Sequence, residues 1–452
     1  MSATRIVAVI GMIASIAFVG CGTSTAPANP SSSVATDASP ATGSPIPTAP
    51  IRSEPPASSS LAPVAADGAW LGAGELRQAR NAANVVVLGS GKVLVVGSDY
   101  QTSWLSACGA ATSGSDSVEI GDPLKSVWTK TTKLPTPREA PGVVGLRDGR
   151  ALVTGGETGE NEGNISYSST YVYDPARQSW TRSALLNSAR SNPTAVLLAD
   201  GRVLVAGGRY IDGAHAPRIL RSSELWDPKS GTWSRTGDLA HSRVGASAVV
   251  LDDGRVLIVG GVESPEAAPF EQASAEVFDP RSGEWTPVGS LATARSGFTL
   301  VALSDGGALA AGGFGGASDG GRLKTVERFD PRSGTWSAGE SLSSPVAGAS
   351  GVRLADGRVL LAGGSVRDAV VTDDTTGAFV SGLTDEAELF DPATGRWTPT
   401  VRMPGPRAGA SAVVLADGSV LLAGGSGSEG NPTATPGCPE ADSQVWRYVP
   451  GA

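Results

Sequence analysis

SAVVLDDGRVLIVGG, residues 247–261, followed by AEVFDPRSGEW, residues 275–285, decides the fold of this chain. Two runs rich in β-branched residues flank Asp253-Gly254, the strongest short hairpin signal. Gly260-Gly261 then lets the backbone leave the sheet with positive φ. Asp279-Pro280 ends a third strand, because proline has no N–H to give to a ladder. Ser282-Gly283 turns the chain and Trp285 opens a fourth strand. Four antiparallel strands form a small sheet with two bare faces, and it can bury them only against further copies.

The copies are present. Asp-Gly pairs begin at Asp148, Asp200, Asp253, Asp305, Asp356 and Asp417, mostly about 52 residues apart, and Ser90-Gly91 fills the same place in the first copy. Repeats of this length indicate propellers, solenoids or arrays. The fourth-strand tryptophans are Trp70, Trp128, Trp180, Trp233, Trp285, Trp336 and Trp397. Trp70 precedes every hairpin, and the last hairpin, residues 411–425, is followed by one more strand, residues 444–449, and nothing else. The segment at Trp70 is therefore expected to complete the blade begun at the C-terminus. Such closure removes both free sheet edges.

A Gly-Gly pair, then aromatic-Asp-Pro, then Trp after a short turn resembles the kelch family across residues 69–449. The first copy departs from the pattern, with Gly121 where the aromatic stands. The resemblance implies an all-β, seven-bladed kelch-type β-propeller. Residues 67–452 would form it, with three strands of the last blade from the C-terminus and one from the N-terminus.

The first twenty residues read as an export signal. Arg5 precedes an apolar run, Ile6 to Val19, that is too short for a comfortable membrane span. Phe18-Val19-Gly20-Cys21 resembles the lipobox of bacterial lipoproteins, with Phe18 in place of the usual Leu. The resemblance implies cleavage after residue 20, lipidation of Cys21 and a place in the bacterial cell envelope facing away from the cytoplasm. The alternative is an ordinary secretory signal. Residues 21–66 are rich in Ser, Thr, Ala and Pro and bury no core, so they are expected to be a disordered tether spanning about 35–40 Å. Cys108 and Cys438 fall in equivalent loops of the first and last blades, which closure makes neighbours. A disulfide between them would stabilise by up to ~5 kcal/mol in the loop-entropy model; the alternative is two free thiols.

The formal net charge of -9 is spread along the chain, and no basic run suggests nucleic acid. Comparing the repeats separates residues that serve every blade from those particular to one. Arginine recurs ten residues after the tryptophan, at Arg80, Arg138, Arg190, Arg243, Arg295 and Arg407, and Val346 replaces it before blade 6. Glutamate recurs in the third strand, at Glu119, Glu224, Glu276, Glu327 and Glu388. The arginines would stand near the mouth of the central channel. In some kelch proteins such arginines grip acidic peptides; here they are candidates for binding, or for structural ion pairs with the glutamates. The variable loops after each Gly-Gly share that face. Tyr100 and Trp104 of the first loop are candidates for stacking on a sugar or anchoring a protein, or for packing the loop base.

Signs of catalysis are thin. Galactose oxidase shares the kelch propeller and holds copper with two Tyr and two His. This chain has only His215 and His241, with Tyr210 nearby, a weak metal set. No phosphate loop, GxSxG or HExxH occurs. The expectation is a monomeric, non-enzymatic surface protein with no cofactor, touching the membrane only through its lipid. It would recognise a protein or glycan through the loop face. The alternative is a secreted carbohydrate-active enzyme, galactose-oxidase-like or a sugar epimerase.

Overall fold

The computed structural model describes residues 68–81, 83–97, 115–159, 165–263, 271–315, 321–366, 382–427 and 440–451, and the backbone at 370–371 and 379–380. Cys21, Cys108, Cys438, Tyr100 and Trp104 lie outside the described residues, as do the export signal and the tether. The described residues are all-β: seven four-stranded antiparallel blades form a β-propeller.

Blade 4 shows the unit. Its strands are Ser247–Val250, Val256–Val259, Ala275–Asp279 and Glu284–Val288, in that order from the axis outward. Ser247 pairs with Val259, Val256 with Phe278, and Phe278 with Trp285. The Asp-Gly signal marks a hairpin, but the turn is longer than the two-residue form that Asp-Gly favours. Residues 251–255 span it, with Leu251 N–H donating to the Arg255 carbonyl at 2.8 Å and Gly254 N–H to the Leu251 carbonyl at 2.9 Å. Only Gly254 has positive φ, 85°, as in a type I turn followed by a glycine bulge.

Every second strand is buried along its whole length, whatever its sequence, from VLVV at Val93–Val96 to ALAA at Ala308–Ala311 and VLLA at Val420–Ala423. An alternating pattern would leave one face polar. These runs are apolar, apart from Thr154 in blade 2, whose hydroxyl is hydrogen-bonded to that of Thr170, because each blade is covered on both sides by its neighbours. Leu257 and Val259 of blade 4 share one cluster with Ala308, Ala310 and Phe329 of blade 5. The innermost strands pack in succession around the axis, and that of blade 7, Ser411–Val414, meets that of blade 1, Asn84–Val87.

The ring closes as the tryptophan count implies. The first strand, Ala69–Arg80, pairs antiparallel with the last, Glu440–Val449: Ala69 faces Val449, Trp70 faces Tyr448 and Gly72 faces Trp446. The register shifts between Gly72 and Glu75 and again before Arg80, which carries the chain from the outside of blade 7 towards the axis. Trp70 and Tyr448 stand with ring centroids 5.2 Å apart, as Phe278 and Trp285 do at 5.1 Å in blade 4. Ala73, Leu76, Val93, Val95 and Trp128 form one core with Leu421, Ala423 and Val445 across the seam.

The seam also explains Gly121. A Cβ there would lie 2.3 Å from Cε3 of Trp128. The indole lies over Gly121 in the space an aromatic ring would take, and its Nε1–H donates to the Ala73 carbonyl at 2.7 Å. Trp128 is almost fully buried, and truncating such a side chain costs about 3–5 kcal/mol.

Candidate functional site

The arginines predicted to ring the channel mouth are buried to 3% exposure or less. Arg295 shows the arrangement. Its Nη1 donates to the carbonyls of Gly312 at 2.9 Å and Thr325 at 3.0 Å, and its Nη2 to Thr325 Oγ1 at 3.1 Å and Glu327 Oε1 at 2.8 Å. Glu327 also accepts the backbone N–H of Ala292 at 2.7 Å and of Thr293 at 3.3 Å. One ion pair thus ties the connector from the preceding blade to the second and third strands of its own.

The Arg295 carbonyl faces the other way and accepts the N–H of Gly261 in blade 4 at 3.2 Å. This contact is why the Gly-Gly pair recurs. Gly260 has φ 63°, and a Cβ on it would sit 2.5 Å from the Arg295 oxygen. The same bond crosses the seam, from Gly425 N–H to the Arg80 carbonyl at 2.8 Å.

Arg80, Arg190 and Arg243 repeat the ion pair with Glu119, Glu224 and Glu276 at 3.1, 2.9 and 2.7 Å. Arg407 reaches Asp442 at 2.5 Å instead, since Trp446 stands where blade 7 would carry its glutamate. Arg138 has Tyr171 in the glutamate position and lies over the rings of Tyr167 and Tyr171 at 5.1 and 5.2 Å. Burial pushes the Arg138 guanidinium down to about 10, opposed in small part by Tyr171 and Tyr167, so it stays charged at neutral pH. Burial also lowers Arg190, Arg243, Arg295 and Arg407, each opposed by its carboxylate partner.

In blade 3 the loop after Gly207-Gly208 forms its own two-stranded hairpin, Arg209–Tyr210 with Arg218–Ile219, as the blade 6 loop does with Val370–Val371 and Phe379–Val380. Its root is fixed by a buried network: Arg209 pairs with Glu157 of blade 2, and Ser191 Oγ–H donates to Glu157 at 2.6 Å. Ile211 N–H donates to Ser166 Oγ at 3.0 Å and its carbonyl accepts Ser166 N–H at 2.9 Å, so blade 2 holds the hairpin again further out. A groove of about 490 Å³ opens between this hairpin and the connector at Asn187–Ala189, lined by Tyr210, Arg218, Leu220 and Arg221 among others. The Arg218 guanidinium stacks over Tyr210 at 4.7 Å. Arg221 is 62% exposed, with Asp238 at 3.6 Å, and Ile165 stands exposed on the blade 2 loop that bridges to Asp212.

Arg218, Arg221 and Ile165 are absent from the sequence-based candidates. The available signal is that blade 3 alone places arginines both five and two residues before the Ser223-Glu224 that opens its third strand. Tyr210 enters the sequence reading only beside the two histidines, as a possible metal ligand.

The two histidines are each engaged with a different acid. His215, at the hairpin tip, has Nδ1 2.9 Å from Asp212 Oδ2, and His241 has Nδ1 3.8 Å from Glu263 Oε1. The His215 ring, with the backbone N–H groups of Ala214 and His215, holds the Asp212 carboxyl down to about 2. Among the described residues no three His, Cys, Asp or Glu side chains gather as a metal site. The residues offered as copper ligands are engaged elsewhere: each histidine faces its own carboxylate, and the Tyr210 ring lies under Arg218.

Kelch motifs are present. Residues 243–292 and 295–343 match the kelch motif. The chain is 26% identical to Kelch-like protein 36 of Rattus norvegicus over 304 residues, 65% of this chain and 45% of that protein. It is 25% identical to alpha-scruin of Limulus polyphemus over 238 residues, 52% of this chain and 24% of that protein. It thus spans less than half the length of these curated relatives. Among solved structures, a fungal alcohol oxidase in complex with copper superposes with a TM-score of 0.63 and 21% identity, covering 85% of this chain and 76% of the oxidase. That likeness is one of fold.

Proposed function

We propose that this chain is a non-enzymatic binding protein that recognises a protein partner through the loop face of its propeller. One observation carries the reading: the blade 3 groove puts exposed arginine, a stacked Tyr210–Arg218 pair and apolar side chains on a hairpin anchored from below by a buried ion pair. Tyrosine and arginine are over-represented among the residues that carry binding energy at protein interfaces. A pre-formed groove loses little entropy on binding. In a chain of net charge -9, a local arginine pair also attracts an acidic segment. The arginines shared by the blades serve the ring in this reading, because their donors are spent inside it. The curated relatives point the same way at the level of the fold.

The lipobox-like Phe18-Val19-Gly20-Cys21 supports anchoring at a bacterial envelope, with the tether carrying the propeller off the membrane. The alternative, a carbohydrate-active oxidase, has less support, because His215 and His241 each face their own carboxylate and Tyr210 lies under Arg218. The test is capture of an envelope or host-surface protein by the full chain, compared with an Arg218→Glu/Arg221→Glu variant of unchanged melting temperature. Loss of capture in the variant supports the reading. Equal capture by both moves recognition away from blade 3.

A further inference from the structure

The blade 3 groove has a counterpart on blade 1 with different chemistry. Leu134 N–H donates to the Asp116 carbonyl at 2.8 Å as Leu239 N–H does to the Arg221 carbonyl at 2.9 Å, so Asp116 and Arg221 occupy corresponding positions. Lys133 faces Asp116 at 3.0 Å where Asp238 faces Arg221 at 3.6 Å, the same pair with its charges exchanged. Beside the blade 1 pair a groove of about 310 Å³ opens between Gln78 near the end of the first strand, residues 115–118 and residues 130–133. That volume lies at the small end of ligand clefts, ~300–1,000 Å³.

Cations gather at this groove. Lys130 stands directly opposite Glu119 in the antiparallel pair, so the two side chains share one face of the blade. On that face Glu119 accepts the N–H groups of Arg77 at 2.7 Å and Gln78 at 3.1 Å and pairs with Arg80, which sets Lys130 beside the end of the first strand. Arg77 Nε donates to the Trp128 carbonyl at 3.3 Å and so stands on the rim. Arg77 and Lys130 are exposed, and among the described residues no carboxylate pairs with either side chain. Glu119 and Asp116 offset Arg80 and Lys133, so Arg77 and Lys130 leave a local surplus of positive charge in a chain of net charge -9. The floor is neutral and polar. Ser117 Oγ accepts Arg80 Nη2 at 2.7 Å and Ser115 Oγ accepts Ser117 N–H at 3.2 Å, and each hydroxyl keeps its own proton to donate.

We propose that the blade 1 groove binds a sugar residue carrying one carboxylate, as a second site separate from the blade 3 groove. The acid lies against Lys130 and Arg77, and the ring hydroxyls meet Asp116, Ser115 and Ser117. Asp116 decides the class. Its carboxylate accepts bonds from sugar hydroxyls and repels a compact dianion such as phosphate. None of the described lining residues is aromatic, so the groove offers no ring face to a nucleobase or an aromatic side chain.

The test is calorimetric titration of the full chain with glucuronate, glucose and inorganic phosphate at low salt. Glucuronate is expected to bind, with glucose weaker by about tenfold or more, the difference that one charge-assisted hydrogen bond makes. Phosphate should also bind more weakly than glucuronate. Lys130→Gln should weaken glucuronate binding by about tenfold with an unchanged melting temperature, because its exposed ammonium braces nothing in the ring. Lys125→Gln is the control: Lys125 is exposed on the same strand pair, faces Asp122 at 2.9 Å and lies outside the groove, so glucuronate affinity should not change. The proposal is overturned if glucuronate does not bind, if phosphate binds as tightly as glucuronate, or if the two lysine variants lose the same affinity. The Arg218→Glu/Arg221→Glu variant should bind glucuronate as the wild type does. Loss of binding there would overturn the separate site, whereas failure of the blade 1 groove alone leaves the blade 3 reading standing.

Discussion

Replacing Arg295 and Arg138 separately by alanine distinguishes an ion-pair brace from a simpler hydrogen-bonded one. Removing Arg295 leaves Glu327, about 6% exposed, facing an emptied space. Breaking a buried pair from one side costs about 3–5 kcal/mol, because a charge is left in low dielectric without its partner. Arg138 has no carboxylate. Its Nη1 and Nη2 bonds go to the Gly155 carbonyl at 2.7 Å, the Ser169 carbonyl at 3.3 Å and Ser169 Oγ at 3.0 Å, and all three are neutral. Hydrogen bonds to a charged donor are worth about 1.5–3 kcal/mol, and alanine also relieves the burial of an uncompensated cation. Arg138→Ala should therefore cost about 2 kcal/mol less than Arg295→Ala. A ring of about 380 residues unfolds with an entropy of about 0.8 kcal/mol/K, so the losses translate to falls in melting temperature of roughly 5 °C and roughly 2–3 °C. Scanning calorimetry reads both. Adding Glu327→Gln to Arg295→Ala should recover part of the loss, since the amide carbonyl still accepts from Ala292 N–H and carries no charge. Equal falls for the two arginines, or no recovery with Glu327→Gln, would refute the ion-pair account of the brace.

Other outcomes follow from single positions. Gly260→Ala places a Cβ 2.5 Å from the Arg295 carbonyl at positive φ, and should lower the melting temperature more than an ordinary exposed Gly→Ala change, which is close to neutral. Asp212 should titrate near 2 by carbon NMR, well below an unfolded carboxylate at about 3.9. Its folded pKa is depressed, so its contribution to the hairpin is present above about pH 4 and is lost as pH falls towards 2. A midpoint at the ordinary value would show that the His215 contact is not made in solution. Cys21→Ser should abolish incorporation of labelled palmitate and release the protein from membranes; unchanged labelling would remove the anchor.

Much of the architecture is legible because a repeat repeats its own evidence. No single copy fixes a blade, but seven tryptophans, with the first ahead of every hairpin, leave closure as the reading that uses every strand. The aromatic-Asp-Pro-to-Trp spacing marks the third and fourth strands because proline and the turn residues after it act locally. The turn at 251–255 is longer than Asp-Gly alone suggests, since Leu251 and Arg255 bond to each other and extend the loop, a choice made by the twist of the pair. The position of the arginines is legible, but not their burial. That depends on the carbonyls of Gly312 and Thr325 converging on one point, and those are backbone atoms with no signature in the sequence. The blade 3 groove escapes the sequence for a related reason. Tyr210 and Arg218 meet across a hairpin whose root is set by Glu157, a residue of another blade more than fifty positions earlier.

The shared blade at the seam is the claim on which the loop face, the brace and the blade 1 groove all depend. A Leu71→Cys/Arg447→Cys variant tests it most directly, because these residues stand opposite one another in the antiparallel pair. Opposed Cα atoms in such a pair lie about 4.5–5.5 Å apart, within disulfide reach. Mild oxidation should join the two introduced cysteines in a disulfide, found by mass spectrometry of the digested protein, in a chain that still melts cooperatively. Failure of that bond to form in folded protein would mean that the two ends of the chain do not share a sheet.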